Sequence, residues 1–347
     1  MTIHLALLLH LYQPPWQRKD VLGRIVNNCY RDIIEYNGPG IDLNINYSLI
    51  ELLRNNGYED VLKGFVSLNN RGCEITNSVA YHPIIPLILN LNGGERVIQR
   101  QIDLNRKGLR EIGIITSGFF PPELAIDERT LEFLQRNTKW VLVDAVSYDA
   151  VNKDTIPYNY IALYDRLPVF FRSRNWSNEF TLGMPGRRDF DLRNYASRLK
   201  SGVRNWFGDD GYIILAFDGE TFGEQVPQYR SRLEEFVERI SEQGIKIVKI
   251  SYLLKFYSER KKVQISPGSW STDISDISRG FYYPLWLSNN DMHRRWYEDV
   301  KRIVDAINSN GQNSELHKLL NSCIPWWISM GNSDFYKEWM NQVERLM

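Results

Sequence analysis

The sequence predicts an α/β protein whose parallel sheet closes into a barrel, with a helical cap at its C-terminal end. Three observations predict it. Short apolar runs alternate with longer amphipathic stretches over most of the chain, seven or eight times, which favours a closed barrel over an open sheet. The 347-residue length suits one large barrel with an appendage. After about residue 260 the alternation stops. Pro267, Gly268 and Pro284 break the chain, Asp291–Asn308 then reads as a helix, and an aromatic stretch, Pro325–Trp327, and the segment Asp334–Leu346 follow. We therefore divide the chain into a barrel, residues 1–262, and a cap packed on it, residues 263–347. The competing architecture is a doubly wound open sheet. No G-x-G-x-x-G follows the first apolar run, which counts against a dinucleotide site.

The strands are expected at Ile3–His10, Leu43–Tyr47, Cys73–Ser78, Gly113–Thr116, Trp140–Asp144, Pro168–Arg172, Tyr212–Asp218 and Ile245–Ile250. Runs such as Tyr212–Phe217 are apolar throughout, as in strands buried on both faces. Helical periodicity is expected at Ser48–Asn55, Glu95–Arg110, Asp127–Asn137 and Gln228–Gln243. The last of these meets Gly244, where a C-terminal glycine belongs.

Composition narrows the chemistry. Lys plus Arg and Asp plus Glu both number 42, so no broad positive field is offered to nucleic acid or to an anionic membrane. Cys29, Cys73 and Cys323 are odd in number and far apart, which implies neither a disulfide framework nor a zinc site. The run Leu5–Leu9 lacks a basic flank and a small-residue cleavage site, so it reads as a buried first strand and a cytoplasmic location is expected. No apolar run approaches the ~20 residues that span a bilayer. The 10 Trp, 19 Tyr and 15 Phe are abundant. Most fill the core, and the others offer apolar faces of the kind that match sugar rings.

In a parallel barrel, reactive groups sit at the C-terminal ends of strands. Four segments qualify: His10 to Pro15, Gly72 to Thr76, Gly118 to Leu124 and Ala216 to Gly223. Pro121 and Pro122 hold Glu123 with little backbone freedom, as a nucleophile requires. Glu123 could equally sit in the first turn of the next helix, where the dipole favours it. Asp218-Gly219-Glu220 brings two carboxyls to the edge of an apolar strand, where desolvation and like charge raise a carboxyl pKa. The same Asp-Gly is also a common turn. His10 reads as a core histidine or a ligand-facing one. Gln13, ahead of two prolines, offers donor and acceptor to hydroxyl groups. Glu74 inside a strand must face a pocket or pair with a cation, with Arg172 as the candidate.

Together these segments resemble the signature of glycoside hydrolase family 57. His10 to Pro14 matches its His–Gln–Pro motif. Gly72 to Glu74 matches its Gly-x-x-Glu strand, with one residue fewer. Phe120 to Glu123 matches its aromatic-x-Pro-Glu segment, and Asp218 to Gly223 its Asp-Gly-Glu motif with Phe-Gly. Pro267–Trp270 and Ser322–Trp327 resemble the region that covers the family's site. There are departures: Tyr12 stands where many members carry a second His, and Ile324 and Pro325 stand where a His before the Trp-Trp pair is expected. These bear on sugar specificity more than on the reaction. The resemblance implies a (β/α)7-type barrel and retaining chemistry on an α-glucan or related oligosaccharide, with Glu123 as nucleophile and Asp218 as general acid/base. His10, Gln13, Glu74 and Trp270 would bind sugar, Glu220 would support Asp218, and Arg172 is added to this set. No metal or organic cofactor is required. Amylase, glucanotransferase, branching and α-galactosidase activities all fit, and the oligomeric state is left open. Two rivals remain. One is a non-catalytic sugar-binding protein on the same barrel. The other is a metal-dependent deacetylase, which the five scattered histidines serve poorly.

Overall fold

The computed structural model describes residues 2–152, 154, 156–182, 191–208, 210–310 and 314–347. Its first strand, β1 (His4–Leu11), is buried along its whole length. One edge of β1 pairs in parallel with β7 (Tyr212–Asp218), which sets His10 opposite Asp218. On the other edge, β2 (Asp42–Ile45) sets Asn44 opposite His10. Next comes β3 (Glu74–Thr76), with Thr76 opposite Asn44. Four polar side chains therefore share one level at the C-terminal rim, a consequence of parallel register alone.

The ring continues through Phe119, bridged on one side to Asn77 and on the other to Val141. Val141 opens β4 (Val141–Asp144), which pairs in parallel with β6 (Leu167–Arg172). The gap between β6 and β7 is spanned by the Ser173 amide donating to the Ile214 carbonyl at 2.7 Å and Arg172 Nε donating to the Ala216 carbonyl at 2.6 Å. Seven positions close the barrel: β1, β2, β3, Phe119, β4, β6 and β7. Three short strands lie outside the ring. Two of them, β5 (Ile161–Tyr164) and β9 (Arg260–Lys262), extend the β6 side, and β8 (Lys246–Ile247) pairs at the foot of β1.

Strand alternation divides the apolar residues into two cores. Ala6, Leu8, Ile214 and Ala216 point inward, into the cluster that also holds β4 and β6. Leu5, Leu7, Leu9, Ile213, Leu215 and Phe217 point outward and are covered by helices, including Tyr47–Asn55 and Leu233–Glu242. The inward cluster does not stop at the barrel: Trp286, Trp296, Leu316, Leu319 and Trp339 belong to it. They come from the C-terminal region, whose helices among the described residues are Ile274–Ser278, Asp291–Asn310, Ser314–Lys318, Cys323–Ser329 and Asp334–Leu346.

Several expectations need correction. No strand forms at Gly113–Thr116. Gly118, at φ 64°, turns the chain there, and the Trp140 ring occupies the space that a side chain at this position would take. Pro121 and Pro122 then have no N–H to continue a ladder, so pairing shrinks to Phe119. The strand expected at Ile245–Ile250 is only Lys246–Ile247, because a helix starts at Ile250. The helix expected at Gln228–Gln243 is broken: Pro227–Tyr229 is a short 3-10 turn, Ser231 has φ 55°, and the helix begins at Leu233. Gly244 follows it at φ 75°, as its C-terminal position requires.

Candidate active site

At the C-terminal rim lies a cleft of about 650 Å³ whose walls include Glu123, Asp218, Glu220, His10, Gln13, Arg172 and Trp270. Glu123 sits in a 3-10 turn, Pro122–Leu124, with φ 58° and ψ 15°, and Leu124 has φ 50°. Two consecutive non-glycine residues in the left-handed region cost roughly 1–2 kcal/mol each. The surroundings hold them there. Leu124 is fully buried, the Trp270 amide donates to the Glu123 carbonyl at 3.0 Å, and Ile126 bridges Gly268. The next helix begins only at Glu128, with Asp127 as its cap, accepting from the Thr130 amide at 2.8 Å. Glu123 is therefore not in a helical first turn. Its backbone strain turns the carboxylate into the cleft.

Both oxygens of that carboxylate receive donors. Trp270 Nε1 donates to Oε2 at 2.7 Å and Ser322 Oγ donates to Oε1 at 3.0 Å. Having given its proton to Glu123, Ser322 accepts from His82 Nδ1 at 2.9 Å. That places the His82 proton on Nδ1 and leaves Nε2, which is buried without a partner, as a lone pair. Burial and the neighbouring His10 push His82 well below the usual imidazole range, so it is neutral. Its 3.6 Å approach to Glu123 is not an ion pair. Burial pushes the Glu123 carboxyl up to about 7, the Asp218 charge adds to this, and the Ser322 and Trp270 hydrogen bonds oppose it.

Asp218 ends β7 and is differently served. Gln225 Nε2 donates to Oδ2 at 3.0 Å, and the Gln225 carbonyl accepts from Thr221 Oγ1 at 3.2 Å. Among the described residues no hydrogen bond to Oδ1 is found.

Glu220 lies beneath, in a cage. Tyr30 donates its hydroxyl to Oε1 in a short hydrogen bond, and Gln13 Nε2 donates to the same atom at 2.9 Å. Burial, then the charge of Asp218, push Glu220 up to about 8. The Gln13 amide also meets Tyr30 and accepts from Gln17, so it is occupied in holding Glu220. His10 has Nδ1 2.7 Å from Asn44 Oδ1, and Asn44 in turn donates to Thr76. The His10 proton thus sits on Nδ1, and burial keeps the ring neutral. Arg172 is fixed by Asp144 at 2.8 Å and by Asn178 at 2.6 Å, 5.7 Å beneath the Trp270 ring.

Glu74 does not join the site. It lies at the start of β3, level with Asp42 and Leu8, two residues below the rim. There it accepts from Ser251 and faces buried Asp42, whose pKa burial and Glu74 raise well above the usual carboxyl range. Its suggested partner Arg172 pairs instead with Asp144. Sequence reasoning missed His82, Ser322, Gln225 and Tyr30. His82, in the loop after β3, and Ser322, at the head of the Ser322–Trp327 segment, carried a positional signal. No group of three or more His, Cys, Asp or Glu among the described residues is placed to hold a metal.

This fold and constellation can be set beside known proteins. The model of the family described as Glycosyl hydrolase family 57 matches residues 11–266. No curated protein sequence matches the chain. Among solved structures, the chain is similar to a GH57-type branching enzyme from Pyrococcus horikoshii, with a TM-score of 0.76 and 16% identity, over 98% of this chain and 88% of that one. It is also similar to an alpha-amylase from Thermotoga maritima, with a TM-score of 0.75 and 15% identity, over 100% and 94%. A 4-alpha-glucanotransferase from Thermococcus litoralis gives 0.74 and 17%, over 100% of this chain and 60% of that one. At such identities the likeness establishes the fold, a (β/α)7-type barrel. With three quarters of its length matched by the family model, the chain belongs to glycosyl hydrolase family 57.

Proposed function

We propose that this protein is a retaining glycosidase or transglycosylase acting on α-linked, glucan-like oligo- or polysaccharides. The carrying observation is the unequal provision for two carboxyls in one cleft. Glu123 has a donor on each oxygen, an arrangement that favours and aims a carboxylate. Asp218 has one oxygen held by Gln225 and, among the described residues, no hydrogen bond to the other. Asp218 then protonates the glycosidic oxygen as Glu123 attacks the anomeric carbon. The covalent glycosyl-enzyme so formed is released when Asp218 takes a proton from water or from an acceptor sugar. His10 offers the Nε2 lone pair to a sugar hydroxyl, and Trp270 orients Glu123 while presenting an aromatic edge to the cleft. The family and the glucan-acting proteins of like fold support the substrate class.

The test is incubation of wild type, Glu123→Gln and Asp218→Asn with maltooligosaccharides, amylose and aryl α-glycosides, followed by anomeric NMR. Wild type is expected to give products of retained α-configuration, and each variant to lose at least ~10³-fold in rate. Inverted product, or a fully active variant, would overturn the assignment. An inert wild type would favour a sugar-binding protein.

A further inference from the structure

A second groove, of about 450 Å³, lies along the flank of the barrel, and Arg174 lines both it and the cleft. Its walls come from the segment after β4, the residues after β6 and the end of the helix Leu192–Phe207. Trp206 on that helix is 69% exposed, a large apolar surface that folding alone would not leave in water. One turn earlier stands Gly202, where a side chain would meet Trp176 at 2.9 Å. The glycine thus lets the Trp176 ring lie close against the helix, so that two indoles border the groove.

Polar groups face the same space. Tyr158, only 7% exposed, has its ring fixed edge-on by Phe207 and Tyr212, and forms a firm floor to the groove. Asp149 and Asn175 add a carboxyl and an amide to the lining. Burial, then Asp144, push Asp149 up to about 6. Among the described residues the one cation in the lining, Arg174, is already engaged by Asp144, Asp273 and the Thr272 carbonyl. An anion would meet the carboxyls of Asp149 and Asp154 in that lining. Lipid tails would meet too many polar atoms. A neutral, hydroxyl-rich ligand suits both the indoles and the polar lining.

We propose that this groove is an accessory sugar site, which holds a distal stretch of the same α-glucan whose scissile bond lies in the cleft. It rests on the proposed function for its ligand and adds to it a preference for long substrates.

The variants are Trp206→Ala, Trp206→Phe and Asn175→Ala, none of them in the cleft. Retention is measured by native electrophoresis through gels containing soluble starch, using the Glu123→Gln background. In the active background, kcat/KM is compared on amylose and on a short aryl maltoside. Trp206→Ala is expected to weaken starch retention and to lower kcat/KM on amylose by about 3–10-fold. The short substrate should change by less than about twofold on the same scale. Trp206→Phe should restore most of the loss, and Asn175→Ala should reproduce part of it. Unchanged retention and amylose kinetics in both Trp206→Ala and Asn175→Ala overturn the accessory site while leaving the cleft assignment intact. An equal loss on long and short substrates also overturns it, because the effect then passes through the cleft. A wild type that neither retains on starch nor turns over any glucan overturns the proposed function, and this site with it.

Discussion

Glu123 shows how a single residue is tuned by opposing influences. Burial and Asp218 raise its carboxyl to about 7, and two donated hydrogen bonds pull it down. Attack requires the carboxylate, so kcat/KM should fall as pH drops through about 7. Trp270→Phe removes a donor that favours the charged form. The acid limb should then move to higher pH, by about one unit. A pH–rate profile checks this, since a variant that merely loosened the site would lose rate equally at every pH. The rim positions of Glu123 and Asp218 were legible in the sequence because each closes a short, distinctive run of Pro or apolar residues. Ser322 and His82 were not legible as Glu123's support. They lie 199 and 41 positions away, and only the fold brings their side chains to one carboxylate. Glu74 misled for a related reason: its strand was recognisable, but the end of the barrel it faced depended on pairing with Asp42.

Among the elements, the segment between Gly113 and Leu124 departs furthest from sequence expectation. Its apolar Ile114 and Ile115 read as a strand, yet Ile115 is 84% exposed and the barrel position is filled by Phe119 alone. The decisive residue is Gly118. At φ 64°, with Trp140 ring atoms 2.0–2.3 Å from where a Cβ would lie, it admits no other residue without strain. Gly118→Ala should cost roughly 2–4 kcal/mol, adding a left-handed penalty to overpacking. Gly57 also has positive φ, 80°, but nothing lies within 4 Å of its would-be Cβ. Gly57→Ala should therefore cost only about 1 kcal/mol. Urea unfolding of the two variants separates the contributions. Equal losses would mean that the Trp140 contact is not what constrains the turn. Long helices with a clear apolar stripe were read well. Gly94–Glu111 lies within a residue of expectation and Asp291–Asn310 within two, because helical periodicity is local whereas strand pairing is not.

At the scale of the molecule, we propose that residues 263–347 are a cap inseparable from the barrel. Trp286, Trp296, Leu316 and Trp339 share the core that holds β4 and β6. A chain ending at Lys262 should therefore expose that core, bind a hydrophobic dye and lose a cooperative thermal transition. Cooperative unfolding by the fragment would show instead that the barrel stands alone. The alternation of apolar runs made a barrel legible. It could not show that the inner core continues into the C-terminal helices, since that contact joins parts distant in sequence. The same arrangement orders events during synthesis. Trp270 and Ser322 both hold Glu123, and both lie beyond residue 262. A nascent chain still on the ribosome carries Glu123 and Asp218 long before it carries Ser322. Until that serine has emerged and docked, Glu123 in the growing polypeptide lacks the donor to its Oε1, so the cleft is complete only near the end of synthesis.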